Sequence, residues 1–274
     1  MYGGTPVSYL MNKFGYEAVL FTLILIGVAI SIVSFITIPD VKDHIEKHNS
    51  SIINDLKTVI GNYYIIFIAL IGGFMVSPVE GFADVWGAGF LRTVYGLGDD
   101  VASFLPSLIF LGFAIGGPLV SYIADKTKAS HAILIGCAII MLGGFSILLS
   151  TNNISVPILT ILFLTVGIAS AYQIVVIYLA SISVPKRLVA LATAWANMIL
   201  MVFGYFFHTV IGKSMDFHWK GELSGTLKIY DIDAYMNSIA IIPASLLLAL
   251  ISLMLLKVKR SRRKDPVTLS SELL

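Results

Sequence analysis

Apolar residues run along this chain in long blocks of roughly membrane-spanning length, separated by short polar gaps. Blocks of about 20 apolar residues predict membrane-spanning helices near 18–38, 61–83, 101–124, 131–150, 156–181, 188–212 and 236–257, seven in all. A run such as AVLFTLILIGVAISIVSFITI, 18–38, is apolar on every face rather than alternating, which fits a helix wrapped by lipid and not a strand of a β-barrel. The expected fold is therefore an all-α integral membrane protein. The first block is too long for a signal peptide, and the glycine-containing stretch before it has no cluster of basic residues, Lys13 being its one cation.

Composition changes the picture little: 57% of the 274 residues are hydrophobic and 12% are charged, far from the balance of a soluble domain. Charge adds orientation. Lys42, Lys47, Lys57, Lys126, Lys128, Lys186, Arg187 and the cluster Lys257, Lys259, Arg260, Arg262, Arg263 and Lys264 fall in alternate gaps, thirteen cations on one side. The other side holds five, Lys13, Arg92, Lys213, Lys220 and Lys228. The positive-inside rule makes the richer side cytoplasmic, so the expected location is the inner membrane with a cytoplasmic C-terminus. Cys137 is single and lies within a span, so no disulfide framework exists.

The turn after the third span reads GGPLVSYIADKTKAS, Gly116 to Ser130. It resembles the signature turn of the major facilitator superfamily, Gly-x-x-x-Asp-Arg/Lys-x-Gly-Arg-Arg/Lys. Asp125 and Lys126 hold its central acidic and basic positions, while Ser121 and Lys128 replace its two glycines and Ala129 the following arginine. FADVWGAGFLRTVYGL is similar to a Trp-Gly-x-x-Phe-Leu segment ending helix seven in a bacterial branch of these permeases, and RLVALATAWANMILMVFGYFFHTVIGKSMD is similar to that branch's helix eleven. GGTPVSYLMNKFGYEAVLF resembles the end of helix five and the start of helix six.

The resemblance implies a specific organisation. Residues 1–38 match the end of the N-terminal half, 39–60 the cytoplasmic linker between halves, 61–257 the C-terminal six-helix bundle and 258–274 a basic cytoplasmic tail. On this register the chain reads as an N-terminally truncated transporter. The expected activity is secondary transport of a small polar organic solute by alternating access, coupled to a proton or cation. The other reading is a non-transporting half-transporter or membrane scaffold that needs a separately encoded N-terminal half or a second copy of itself. The lipid bilayer is the remaining partner, and no nucleic acid, cofactor or resident metal is expected.

Ionisable residues within spans carry the candidate chemistry, because desolvating a charge at mid-bilayer costs at least about 3 kcal/mol. Glu80 and Asp84 stand one turn apart on one face of the second span, after Pro78, as a proton or cation relay or else as solvated headgroup-zone acids. Trp86 joins them through the resemblance. Tyr172 and Gln173 lie mid-way along the fifth span, and Asn197 and His208 bound a stripe on the sixth, either lining a cavity or bonding between helices. Trp195 is placed like a gate aromatic or a packing residue. Asp125 and Lys126 are candidates for a cytoplasmic gate.

The polar linker ends in a stretch where Ile52, Ile53, Leu56, Val59 and Ile60 share a face, which predicts a short helix in the membrane interface. The stretch 213–235 reads as an exposed, mobile outer loop. Enzyme motifs fail: the acid of HIEKH sits one place too late for a zinc protease, although His44 and His48 remain a weak adventitious metal pair, and Gly212-Lys213-Ser214 lacks the first glycine of a phosphate loop.

Overall fold

A computed structural model describes residues 13–37, 51–151 and 153–264. Most of the linker with His44 and His48, and the tail beyond 264, lie outside the described residues. The chain divides into two compact units, Met1–Asn54 and Asp55–Leu274. In the first, the described part is essentially one helix, α1, Tyr16–Thr37.

Seven helices among the described residues are long and apolar enough to cross a membrane, as the hydropathy blocks predict. The second departs most from its predicted limits, continuing to Tyr95 rather than ending near 83. A hydropathy window ends where Glu80 and Asp84 begin, but those side chains are shielded by neighbouring helices and the helix runs on past them.

The short predicted helix forms as α2, Ile52–Ile60; of its apolar face Val59 is buried, while Leu56 and Ile60 stay partly exposed. Asn62 then starts the second span. Its side chain accepts from the backbone N–H groups of Tyr64 (3.0 Å) and Ile65 (3.3 Å), satisfying donors that no preceding turn can reach. Helix α3, Tyr63–Phe74, stops part-way along this span. A π-helical segment, Pro78–Trp86, follows, and α4, Gly87–Tyr95, completes it before Gly96 turns the chain in the left-handed conformation. Proline 78 has no N–H to continue the α-helical ladder, which accounts for the change of winding at that point.

Helix α5, Asp99–Thr127, spans without interruption, and α6, Ser130–Ser150, returns beside it. Helices α7, Val156–Ser170, and α8, Tyr172–Ser181, form one span broken at Ala171. Crossing of α5 and α7 is set by Gly112 and Gly167, whose missing side chains let backbone meet backbone; a Cβ on Gly112 would collide with the Leu164 carbonyl. A short 3₁₀ turn, Lys186–Leu188, leads into α9, Val189–Phe217. The last span comprises α10, Ile232–Ile239, and α11, Ile241–Lys264. Because α11 runs on to Lys264, the start of the basic tail continues the helix, consistent with the good helix propensity of Lys and Arg.

The loop after α9 is braced. Strands β1, Leu223–Ser224, and β2, Leu227–Lys228, pair antiparallel, and Lys220 contacts both Asp231 (2.5 Å) and Asp233 (2.8 Å). Asp231 also caps α10 by accepting from the Ala234 N–H at 2.9 Å. These contacts tie together the stretch read from its sequence as an exposed outer loop.

Candidate functional site

The second span loses regular α-helical winding between Met75 and Trp86, and the fifth breaks at Ala171. The two breaks are joined. Fully buried Tyr172, the first residue after the second break, donates its hydroxyl to the Gly72 carbonyl at 2.7 Å. On the other side of the interruption, buried Ser77 shares a hydrogen bond of 2.9 Å with Ser245 of α11. Polar groups exposed by interrupted helices are thus met by side chains from the neighbouring spans, the condition under which irregular backbone survives at membrane depth.

Beside this junction the structure assembles three of the predicted residues. Glu80 and Asp84 project from the π-helical segment toward His208 of α9, and one ligand-capable atom of each lies within 4.8 Å of the other two. His208 Nε2 is 2.6 Å from the Glu80 backbone oxygen and 3.6 Å from Asp84 Oδ2. All three side chains are half-buried. Gly204, one turn before His208, makes the approach possible: a Cβ there would lie 3.2 Å from Glu80 Cγ and 3.3 Å from Oε2. Among the described residues, His208 is the only basic group within ion-pair distance of either carboxylate.

Trp86 ends the π-helical segment at the far side of this cluster. Its ring lies against Gly212, one turn beyond His208 on α9, and edge-on to Tyr230 with centroids 6.4 Å apart. Its indole N–H is buried without a partner among the described residues. Tyr230 donates to Asp216 at 2.7 Å, and Lys228 pairs with the same carboxylate at 2.7 Å. Burial first, and then the Asp216 carboxylate, push the Tyr230 phenol up to about 12, so it stays a donor across the ordinary pH range. The face His208–Gly212–Asp216 therefore runs from the buried cluster to the braced loop.

The remaining candidates fall elsewhere. The Tyr172 hydroxyl is used in joining the two helix breaks. Gln173 beside it is half-buried and has no hydrogen bond among the described residues. Trp195 packs at the other end of α9 beside the buried group Val59, Ile65, Ala180 and Leu188, with its indole N–H buried and unpaired among the described residues. Asn197 is exposed on α9, away from that packing. Asp125 bonds Lys128 at 2.5 Å and Lys126 lies over the Tyr122 ring at 5.7 Å, so this turn makes local contacts in the present conformation. Lys128, which stands where the signature has its second glycine, adopts φ 52°.

Sequence reasoning missed Gly72, Ser77 and Ser245. Glycines and serines are so common in membrane helices that only a three-dimensional partner distinguishes these three.

Interrupted helices that meet within the bundle, with ionisable groups beside the interruption, define a polytopic membrane protein of transporter type. The sequence profile of the Major Facilitator Superfamily matches residues 3–208, and the chain belongs to that family. No curated protein matches it.

Proposed function

We propose that the chain works in a permease that moves a small polar organic solute across the inner membrane by alternating access, with its C-terminus in the cytoplasm. The family match supports transport in general, and the Glu80–Asp84–His208 cluster on an interrupted helix is the observation that carries the assignment of its working centre. Charged groups inside a span are costly and are retained where they bind or pass an ion or polar solute. Here Glu80, Asp84 and His208 receive the coupling ion, and Gln173, whose amide has no hydrogen bond among the described residues, faces the solute. Rocking of helix sets about the joined breaks exposes this centre to each side in turn.

A test is transient current on solid-supported membranes carrying the purified chain, challenged with panels of amino acids, sugars and carboxylates. A saturable current with at least one polar solute, absent from empty liposomes, is expected; currents with none of them contradict the proposal. Exposure of Asn197 on α9 favours a second reading, in which a further helix set or a second copy must cover that face before transport begins. Under that reading current appears only when the partner is co-reconstituted.

A further inference from the structure

We propose that Glu80, Asp84 and His208 bind a divalent first-row transition-metal ion of the zinc class, clamping the π-helical segment to α9. Neither the spacing of these residues in the sequence nor membership of the family assigns a metal here; the third ligand comes from a distant helix.

Distance is the first argument. Ligand atoms about 2.1 Å from a tetrahedral zinc lie roughly 3.4 Å from one another. His208 Nε2 and Asp84 Oδ2 are already 3.6 Å apart, and the Glu80 ligand atom is within 4.8 Å of both, so a small side-chain rotation closes the set. Nε2 now donates its N–H to the Glu80 carbonyl at 2.6 Å, so ligation through this nitrogen exchanges that hydrogen bond for the metal and releases a proton.

Charge is the second. Two half-buried carboxylates share one imidazole as their basic neighbour, with no lysine or arginine at ion-pair distance among the described residues. Carboxylates withdrawn from water and left under-compensated are unfavourable, and a doubly charged ion supplies the missing compensation. Donor chemistry then selects the ion. Calcium takes six to eight oxygens and magnesium keeps several waters, whereas one imidazole with two carboxylates suits zinc and its neighbours. Three side-chain ligands also leave room for water or a solute carboxylate at an open position.

The site predicts a mechanical effect. Glu80 and Asp84 belong to the second span and His208 to the sixth, so one ion fastens two helices that otherwise meet through a hydrogen bond and packing. Loaded protein resists unfolding more strongly than metal-free protein, by an amount that grows with the logarithm of free metal.

The test uses the full chain in detergent, purified on a tag without histidines and stripped with chelator. His44→Gln and His48→Gln are built into the background, so that uptake of metal by these two linker histidines does not enter the titration. Titration with Zn²⁺ by calorimetry, and with Co²⁺ by visible absorption, is expected to show one tight ion per chain and the intense bands of low-coordinate Co²⁺. His208→Gln, which keeps a donor for the Glu80 carbonyl, and Asp84→Asn should each weaken binding at least about tenfold. Both should also abolish the metal-dependent rise in unfolding temperature while leaving the metal-free temperature near that of the background protein. Absence of binding, or binding that these substitutions leave unchanged, marks an adventitious ion only and overturns the proposal. Should either variant fail to fold, Glu80→Gln is read by the same titration. The experiment involves no transport, so its failure leaves the permease assignment standing, and failure of transport leaves the metal site standing.

Discussion

The hydroxyl of Tyr172 donates to the carbonyl of Gly72 across 2.7 Å, and so joins the break in one span to the break in another. Both partners are buried, and the Gly72 carbonyl also accepts the Met75 N–H at 3.0 Å, so removing the hydroxyl takes away one of its two donors rather than leaving it unpaired. Tyr172→Phe should therefore destabilise the protein by about 0.5–1.5 kcal/mol, the net worth of one hydrogen bond. Thermal unfolding in detergent checks this, and an unchanged transition temperature would show that the junction is held by packing alone.

Lys128 offers a change in the opposite direction. Its φ of 52° places a branched-at-nothing but Cβ-bearing residue in the left-handed region, where glycine is favoured. Lys128→Gly should stabilise by about 0.5–1 kcal/mol, because the exposed ion pair with Asp125 that it loses contributes little. A lower unfolding temperature would indicate that the Asp125–Lys128 pair matters more than the backbone.

The α5–α7 crossing is the least forgiving place in the bundle. A Cβ at Gly167 meets the Ile109 carbonyl and the Gly112 Cα, both backbone atoms that cannot rotate away. Gly167→Ala should cost about 1–3 kcal/mol through forced separation of the helices. Unfolding temperature and the yield of monodisperse protein report this, with Gly143→Ala, whose Cβ meets nothing within 4 Å, as the control.

The braced loop has its own pH dependence. A hydrogen bond from Lys220, aided by the Ala234 amide, holds the Asp231 carboxyl below its usual range. Its contribution is therefore present above the unfolded value of about 3.9 and is lost as pH falls through the lower folded value. Lys220 is raised by Asp231 and Asp233, so its contribution is complete below about 10.4 and is lost as pH rises through the higher folded value. Hydrogen exchange of the β1–β2 amides should be slowest, after correction for intrinsic rates, between those limits. Protection that is flat from pH 3 to neutrality would contradict this reading.

Much of this fold is legible in one dimension because bilayer thickness imposes its own ruler: each apolar block in the sequence corresponds to a span. What is not legible is winding within a span. Pro78 signals an irregularity, but nothing local says that nine residues adopt π-helical form or that α7 ends at Ser170. The pairing of Glu80 and Asp84 is visible from their spacing, whereas the approach of His208 depends on Gly204 and on how α9 crosses the second span. Tyr172 shows the limit most clearly. Its position left a cavity lining and a bond between helices equally open, and the structure shows its hydroxyl engaged at Gly72.

A working centre formed by Glu80, Asp84 and His208, as proposed above, makes transport depend on the Glu80 carboxylate. The decisive measurement is uptake into proteoliposomes of the polar solute identified by current screening, comparing the unaltered chain with Glu80→Gln at matched incorporation. The unaltered chain is expected to take up solute, and Glu80→Gln to lower the initial rate at least about tenfold, which is a loss of about 1.4 kcal/mol. Equal rates, with Glu80→Gln shown to be folded by its elution and unfolding temperature, would contradict it.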